Sequence, residues 1–294
     1  MNRYFDLHCD TPTTLYRTRT PWKNAVTHVS PQSMSVFDQA VQCFAIFLDD
    51  TRPKQDFSYL CRVYNFFFST LNQPNLTALF TVEGGGAAMD PELQNLDRLA
   101  NMGLRMFGLV WNGENPLATG AVQNQSTGLT SLGKTCVRKL EQLRILPDVS
   151  HLSDRGFRDL AAQTHGPIVA SHSNARALWN HPRNLTDDQA REIILRKGLI
   201  GLNFYPRFLG DTPGIEDILR HADHFLDLGA ENCLALGGDW DGIDTLPREI
   251  TGPESIPILK EKMRDRYGDT LTEKILYQNA AMRFNPGGYL WHCT

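Results

Sequence analysis

The chain has 294 residues, a formal net charge of -4, and 41% hydrophobic against 21% charged residues. That balance supplies a substantial core and a polar surface, which excludes a disordered chain. Its Lys and Arg are scattered without a basic stripe, so a nucleic-acid partner is not expected.

A (β/α)8 barrel occupies roughly 250 residues plus insertions, so one catalytic domain is expected over residues 1–294. Short apolar runs followed by longer stretches of helical spacing predict strands near 4–8, 43–47, 78–82, 104–110, 144–149, 167–171, 199–204 and 233–237. Runs such as Ile168-Val169-Ala170 and Cys233-Leu234-Ala235-Leu236 are apolar throughout, as strands covered on both faces of a parallel sheet are.

The first strand closes in Asp6-Leu7-His8-Cys9-Asp10. Residues two apart on a strand share a face, so His8 and Asp10 can reach one ion while Cys9 points elsewhere. Thr11 to Ser33 and Trp111 to Thr127, which follow strands one and four, read as irregular walls of a substrate pocket. Helices are predicted over Pro91–Ala100, Ser131–Leu143, Ser153–Ala162, Asp187–Arg196 and Ile215–Leu228. Thr186 and Gln189 form a capping signature before the fourth of these. One or two further helices are expected after Pro253, the last ended by Asn285-Pro286-Gly287-Gly288.

Later strands end in Glu83, His151, His172 and Asp239. These residues can join His8 and Asp10 only if all the strands run parallel and finish at one rim, as in a parallel barrel. A carboxylate such as Glu83 can hold two divalent ions at once while partly neutralising their repulsion. A lone His-X-Asp is usually structural, but five ligands at the ends of appropriate strands favour a metal. Asp239 taken alone would be a turn cap, and Arg183 a surface arginine. Glu83-Gly84-Gly85-Gly86 lacks the Lys of a phosphate loop and reads as a tight turn. His221 and His224 are expected on a solvated helix face.

The motifs Asp6-Leu7-His8-Cys9-Asp10, Val82-Glu83-Gly84-Gly85, Asp148-Val149-Ser150-His151, Ser171-His172-Ser173, Arg183-Asn184-Leu185-Thr186-Asp187-Asp188, Asn203-Phe204-Tyr205 and Gly237-Gly238-Asp239-Trp240-Asp241-Gly242 resemble those of the membrane dipeptidase (renal dipeptidase) family of the amidohydrolase superfamily. The resemblance implies two zinc ions per subunit, one held by His8, Asp10 and Glu83 and the other by Glu83, His151 and His172. It implies Arg183 as partner of the substrate's C-terminal carboxylate, Asp239 as proton shuttle, and hydrolysis of dipeptides, L,L and L,D, by a metal-bridged hydroxide. The family histidine expected after strand four is replaced by Trp111, so Asn112 is expected to take over part of the oxyanion's stabilisation, with Tyr205 nearby in the substrate site.

Two alternatives stand beside this: another amidohydrolase, acting on N-acyl amino acids or cyclic amides, or a metal-binding scaffold with impaired catalysis. The six cysteines include no CxxC pair and read as reduced thiols. The first strand is under way by Asp6, leaving no room for a signal peptide, and no apolar run approaches the ~20 residues of a membrane span. A cytoplasmic protein without membrane contact is expected, with a homodimer as the assembly because dimers are frequent among barrels.

Overall fold

The computed structural model describes residues 1–52 and 55–284. The predicted stop at Asn285–Gly288 lies outside them, as does Cys293. The chain folds as eight parallel strands closed in sequence order into a barrel: β1 (Arg3–Cys9), β2 (Gln39–Phe47), β3 (Leu76–Glu83), β4 (Met106–Gly108), β5 (Leu146–Asp148), β6 (Val169–Ala170), β7 (Leu199–Leu202) and β8 (Leu234–Leu236). The ring closes where Asp6 pairs with Leu236.

Several strands are shorter than their apolar runs. The run at 104–110 yields a ladder of only Met106–Gly108. Leu109 and Val110 are nevertheless buried, and the Leu109 carbonyl accepts from Gly86 N–H at 2.9 Å and from the Asn115 amide at 2.9 Å. Burial under a loop thus keeps the sequence apolar beyond the end of the sheet.

The helices are α1 (Thr11–Thr18), α2 (Pro31–Met34), α3 (Phe57–Thr70), α4 (Gln94–Asn101), α5 (Ser131–Gln142), α6 (Asp154–Ala161), α7 (Asp187–Leu195), α8 (Pro206–Leu209), α9 (Ile215–Asp227), α10 (Ile256–Glu273) and α11 (Asn279–Phe284). Four of the five predicted helices match within a residue at each end. The fifth starts at Gln94 rather than Pro91, because the Asp90 carboxylate takes the N–H groups of Glu92, Gln94 and Asn95 and holds the intervening residues in a turn.

The stretch expected to be irregular after β1 opens directly into α1, with a proline in its first turn and Leu15 and Tyr16 buried. Its Thr-rich polar sequence hides a short amphipathic face. Helix α3 was not anticipated. Asp56 caps it by accepting from Tyr59 N–H at 2.9 Å, and Leu60, Val63 and Phe67 form its buried stripe. The aromatic run Phe66-Phe67-Phe68 blurs the polar face that would have marked the period.

The main core lies between strands and helices, where Trp22 packs edge to face against Phe44 and Phe67. A smaller cluster inside the barrel draws Phe5, Val41, Met106, Leu146, Val169 and Leu199 from six of the eight strands and meets Phe284 of α11. With its interior filled, the barrel offers only its rim for chemistry. No helix among the described residues is long and apolar enough to cross a membrane.

Candidate metal centre and active site

The C-terminal ends of the strands bring His8, Asp10, Glu83, His151, His172 and Asp239 together. Strand β1 changes register against β2 between Asp6 and Cys9. Asp6 secures that irregularity by accepting from His8 N–H at 3.0 Å, Gln42 Nε2 at 2.8 Å and Gly238 N–H at 2.7 Å. One buried carboxylate therefore joins the strand end carrying His8 to the turn carrying Asp239.

Glu83 sits between two groups of ligands. Its Oε2 is 3.5 Å from His8 Nε2, and its Oε1 is 2.6 Å from His151 Nε2 and 3.9 Å from His172 Nε2. His8 Nε2 is also 3.9 Å from Asp10 Oδ2 and 4.0 Å from Asp239 Oδ1. Among the described residues, two sets of donor atoms fall close enough to share an ion: His8, Glu83 and His172, and His8, Asp10 and Asp239.

The outer nitrogens of the His151 and His172 imidazoles are occupied. His172 Nδ1 lies 2.7 Å from Ser171 Oγ, which donates to Asp148 Oδ2 at 2.5 Å. His151 Nδ1 faces Asn112 Oδ1 at 3.0 Å. Since Ser171 spends its proton on Asp148 and an amide oxygen can only accept, both imidazoles carry hydrogen on Nδ1. Their Nε2 lone pairs then confront each other at 3.0 Å, beside Glu83. That is repulsive unless a cation sits among them.

Burial and neighbouring charge agree. Burial, then the Arg183 charge, lowers the His151 pKa to about 4, and burial, His8 and Arg183 push His172 well below its ordinary value. Burial and Glu83 raise Asp10 to about 7. Burial also raises Asp239, aided by Glu83 and opposed by His8. His8 is pulled down by burial but driven up on balance by Glu83 and Asp10, while Glu83 is held far below its usual range by His151 and His8 despite burial. His8 Nε2 and Asp10 Oδ1 are buried with no hydrogen-bond partner among the described residues. The neutral imidazoles of His151 and His172, crowded carboxylates and orphaned ligand atoms fit divalent metal.

Asp239 follows two glycines whose smallness is required at Gly237, where a Cβ would stand 1.7 Å from the Ser171 carbonyl oxygen. Asp239 itself has φ of 59°, and Asn203 Nδ2 donates to its Oδ2 at 3.1 Å. A cavity of about 330 Å³ opens over the centre, walled by Phe47, Trp111, Asn112, Tyr205, Phe208 and Ile243 among others. Trp111 stands against Phe47, ring centroids 4.9 Å apart. Arg183 is not part of that wall. It is 3% exposed, its Nη2 donates to the His172 carbonyl at 3.4 Å, its Nε and Nη1 have no partner among the described residues, and its guanidinium lies 5.4 Å from the Phe208 ring.

The membrane dipeptidase (peptidase family M19) pattern matches residues 52–284. The chain belongs to this family. It is a metal-dependent hydrolase of the M19 type, with a (β/α)8 barrel. It is 35% identical over 212 residues to an uncharacterized protein in the pqqA 5′ region of Klebsiella pneumoniae, covering 67% of this chain and 77% of that one. An uncharacterized dipeptidase of Schizosaccharomyces pombe is 31% identical over 184 residues, covering 60% of this chain but only 45% of its own length. The chain thus spans less than half of that curated relative.

Among solved structures, a Rhodobacter sphaeroides metallopeptidase liganded with a phosphinate mimic of the dipeptide L-Ala-D-Ala is 26% identical, covering 95% of this chain and 97% of its own, with a TM-score of 0.80. The M19 dipeptidase AC gives 26% identity, coverage of 95% and 96%, and a TM-score of 0.81.

Within this M19 barrel, sequence reasoning did not single out Ser171, Asp148, Asn203 or Asp50. All but Asp50 fall inside the motifs that carry the resemblance, so proximity to a ligand in sequence was the available signal. Asp50 had none. Its carboxylate accepts from Trp111 N–H at 2.9 Å, Gly113 N–H at 3.3 Å and Asn115 Nδ2 at 2.9 Å, a role visible only once the loops meet. His221, expected on a solvated face, is fully buried instead. It accepts from Ala175 N–H at 3.1 Å and donates to the Leu209 carbonyl at 3.3 Å, so it holds two loops together. His224 pairs with Asp187 at 2.8 Å.

Proposed function

We propose that the protein is a dipeptidase that uses two zinc ions, held by His8, Asp10 and Glu83 and by Glu83, His151 and His172. The observation that carries this is the disposition of Glu83, one oxygen turned to His8 and the other to His151. When bound, such ions supply a Lewis acid for the scissile carbonyl and acidify water near neutral pH. Asp239, raised by burial and steadied by Asn203, takes a proton from the attacking water and returns it to the departing amine.

Arg183 keeps two guanidinium nitrogens, Nε and Nη1, without a hydrogen-bond partner among the described residues and is assigned to the substrate's free carboxylate, for which its planar fork is suited. Trp111 and Tyr205 flank the substrate, and the cavity volume suits a small ligand such as a dipeptide. The phosphinate mimic of L-Ala-D-Ala bound by the Rhodobacter metallopeptidase supports tolerance of a D-residue at the C-terminal position.

The test is hydrolysis of L,L and L,D dipeptides by zinc-loaded protein, with metal content measured in parallel. Activity abolished by a chelator, restored by zinc and lost on amidating the dipeptide's carboxylate is expected. Equal turnover of the amidated substrate would remove the dipeptidase assignment in favour of a cyclic amide or N-acyl hydrolase.

A further inference from the structure

The two imidazoles that face Glu83 are supported from different parts of the molecule. His172 is backed by Ser171 and Asp148, both at the ends of barrel strands, and Asp148 also accepts from Ser150 N–H, Ser150 Oγ and Ser171 N–H at 2.8 to 3.0 Å. His151 is backed by Asn112, which lies in the loop after β4 that walls the cavity.

That loop is a built structure. Asp50 pins it through Trp111, Gly113 and Asn115, Gly120 N–H closes it onto the Gly113 carbonyl at 2.8 Å, and Ala121 N–H returns to the His151 carbonyl at 2.8 Å. Asn112 is therefore held on one side by the loop and on the other by the imidazole. With the amide oxygen toward His151, hydrogen sits on Nδ1 and Nε2 is bare toward Glu83 at 2.6 Å. With the amide turned round, hydrogen would move to Nε2 and block the ligand atom.

We propose that Asn112 is the positioning residue for His151, fixing the tautomer that presents Nε2 to a metal. The loop from Trp111 to Ala121 thereby governs retention of the ion served by His151 and His172. This rests on the metal assignment above. It changes the expected role of Asn112: its oxygen orients a ligand, and the residue is not primarily a donor to the oxyanion.

The test uses full-length protein, with imidazole 15N shifts read in the metal-free state and zinc affinity read by competition against a chromophoric chelator. Asn112→Ala is expected to shift His151 from the pure Nδ1–H tautomer to a mixture and to weaken one of two zinc ions by about 10- to 100-fold. Excess zinc should restore kcat with KM unchanged. Asn112→Asp keeps the acceptor and removes the amide donor, so it is expected to retain both the tautomer and the zinc, and it carries the test if the alanine variant does not fold. Loss of the Nδ1–H tautomer or of one zinc ion in Asn112→Asp, which keeps the acceptor, would overturn the proposal. Two ions bound by Asn112→Ala at parent affinity would overturn it alone, whereas a parent that binds no zinc would overturn the metal assignment as well.

Discussion

Ser171 Oγ stands 2.7 Å from Nδ1 of His172, with its own proton committed to Asp148. The hydroxyl relays a buried carboxylate to the imidazole and sets which nitrogen faces the centre. Ser171→Ala should leave Asp148 its bonds from the Ser150 hydroxyl and two backbone N–H groups, so the barrel end should hold. Zinc affinity is expected to fall about 10- to 100-fold, measured by chelator competition. Parent affinity in the variant would mean that the relay does not orient His172.

Asp239 is placed to move protons. It lies 4.0 Å from His8 Nε2 and is hydrogen-bonded by Asn203 on its other oxygen. Asp239→Asn preserves size and leaves the Glu83 contacts untouched. We expect unchanged zinc content and a kcat lower by about 10²- to 10⁴-fold, the usual worth of a positioned acid-base group. Dipeptide turnover at the parent rate would show that another group carries the proton.

The strand ends and the residues gathered at the rim were legible because both follow local rules. Continuous apolar runs mark buried parallel strands, and a polar residue at the end of each must lie at the rim. His8, Asp10, Glu83, His151 and His172 could thus be placed from sequence, with the family resemblance supplying their grouping. The supports were harder. Asp50 contacts residues more than sixty positions away, and no spacing rule announces such a partner. Helix α3 escaped because its aromatic residues cover more than one face, and His221 because its burial depends on α9 packing beside the loops of Ala175 and Leu209. These are tertiary facts, set by which loops converge.

Gly242 is the next site of strict constraint. A Cβ there would stand 2.3 Å from Asp10 Oδ2 and 2.6 Å from Asp239 Oδ1, both far inside van der Waals contact. Its φ is not in the left-handed region, so alanine is compatible with the backbone and the penalty falls on the two carboxylates. Gly242→Ala is expected to lower kcat/KM by about 10²-fold or more, since displacements near 1 Å cost that much, with the thermal midpoint little changed. Activity within a few-fold of the parent would mean that neither carboxylate needs its observed position.

His221 offers a test of stability remote from the chemistry. Burial, the largest cause, lowers its pKa to about 4, against about 6.5 in an unfolded chain. Its Nδ1 accepts from Ala175 N–H, so protonation would set two N–H groups against each other. Between these pKa values the unfolded chain binds the extra proton and the folded chain does not, so stability rises with pH. The contribution is complete above about pH 6.5 and is lost as pH falls towards 4, amounting to roughly 3 kcal/mol. Other groups titrate in the same window, so the difference between parent and His221→Gln isolates this one. Urea midpoints of the metal-free proteins from pH 7.5 to 4 should fall more steeply for the parent; parallel curves would show that His221 is not held neutral by the fold.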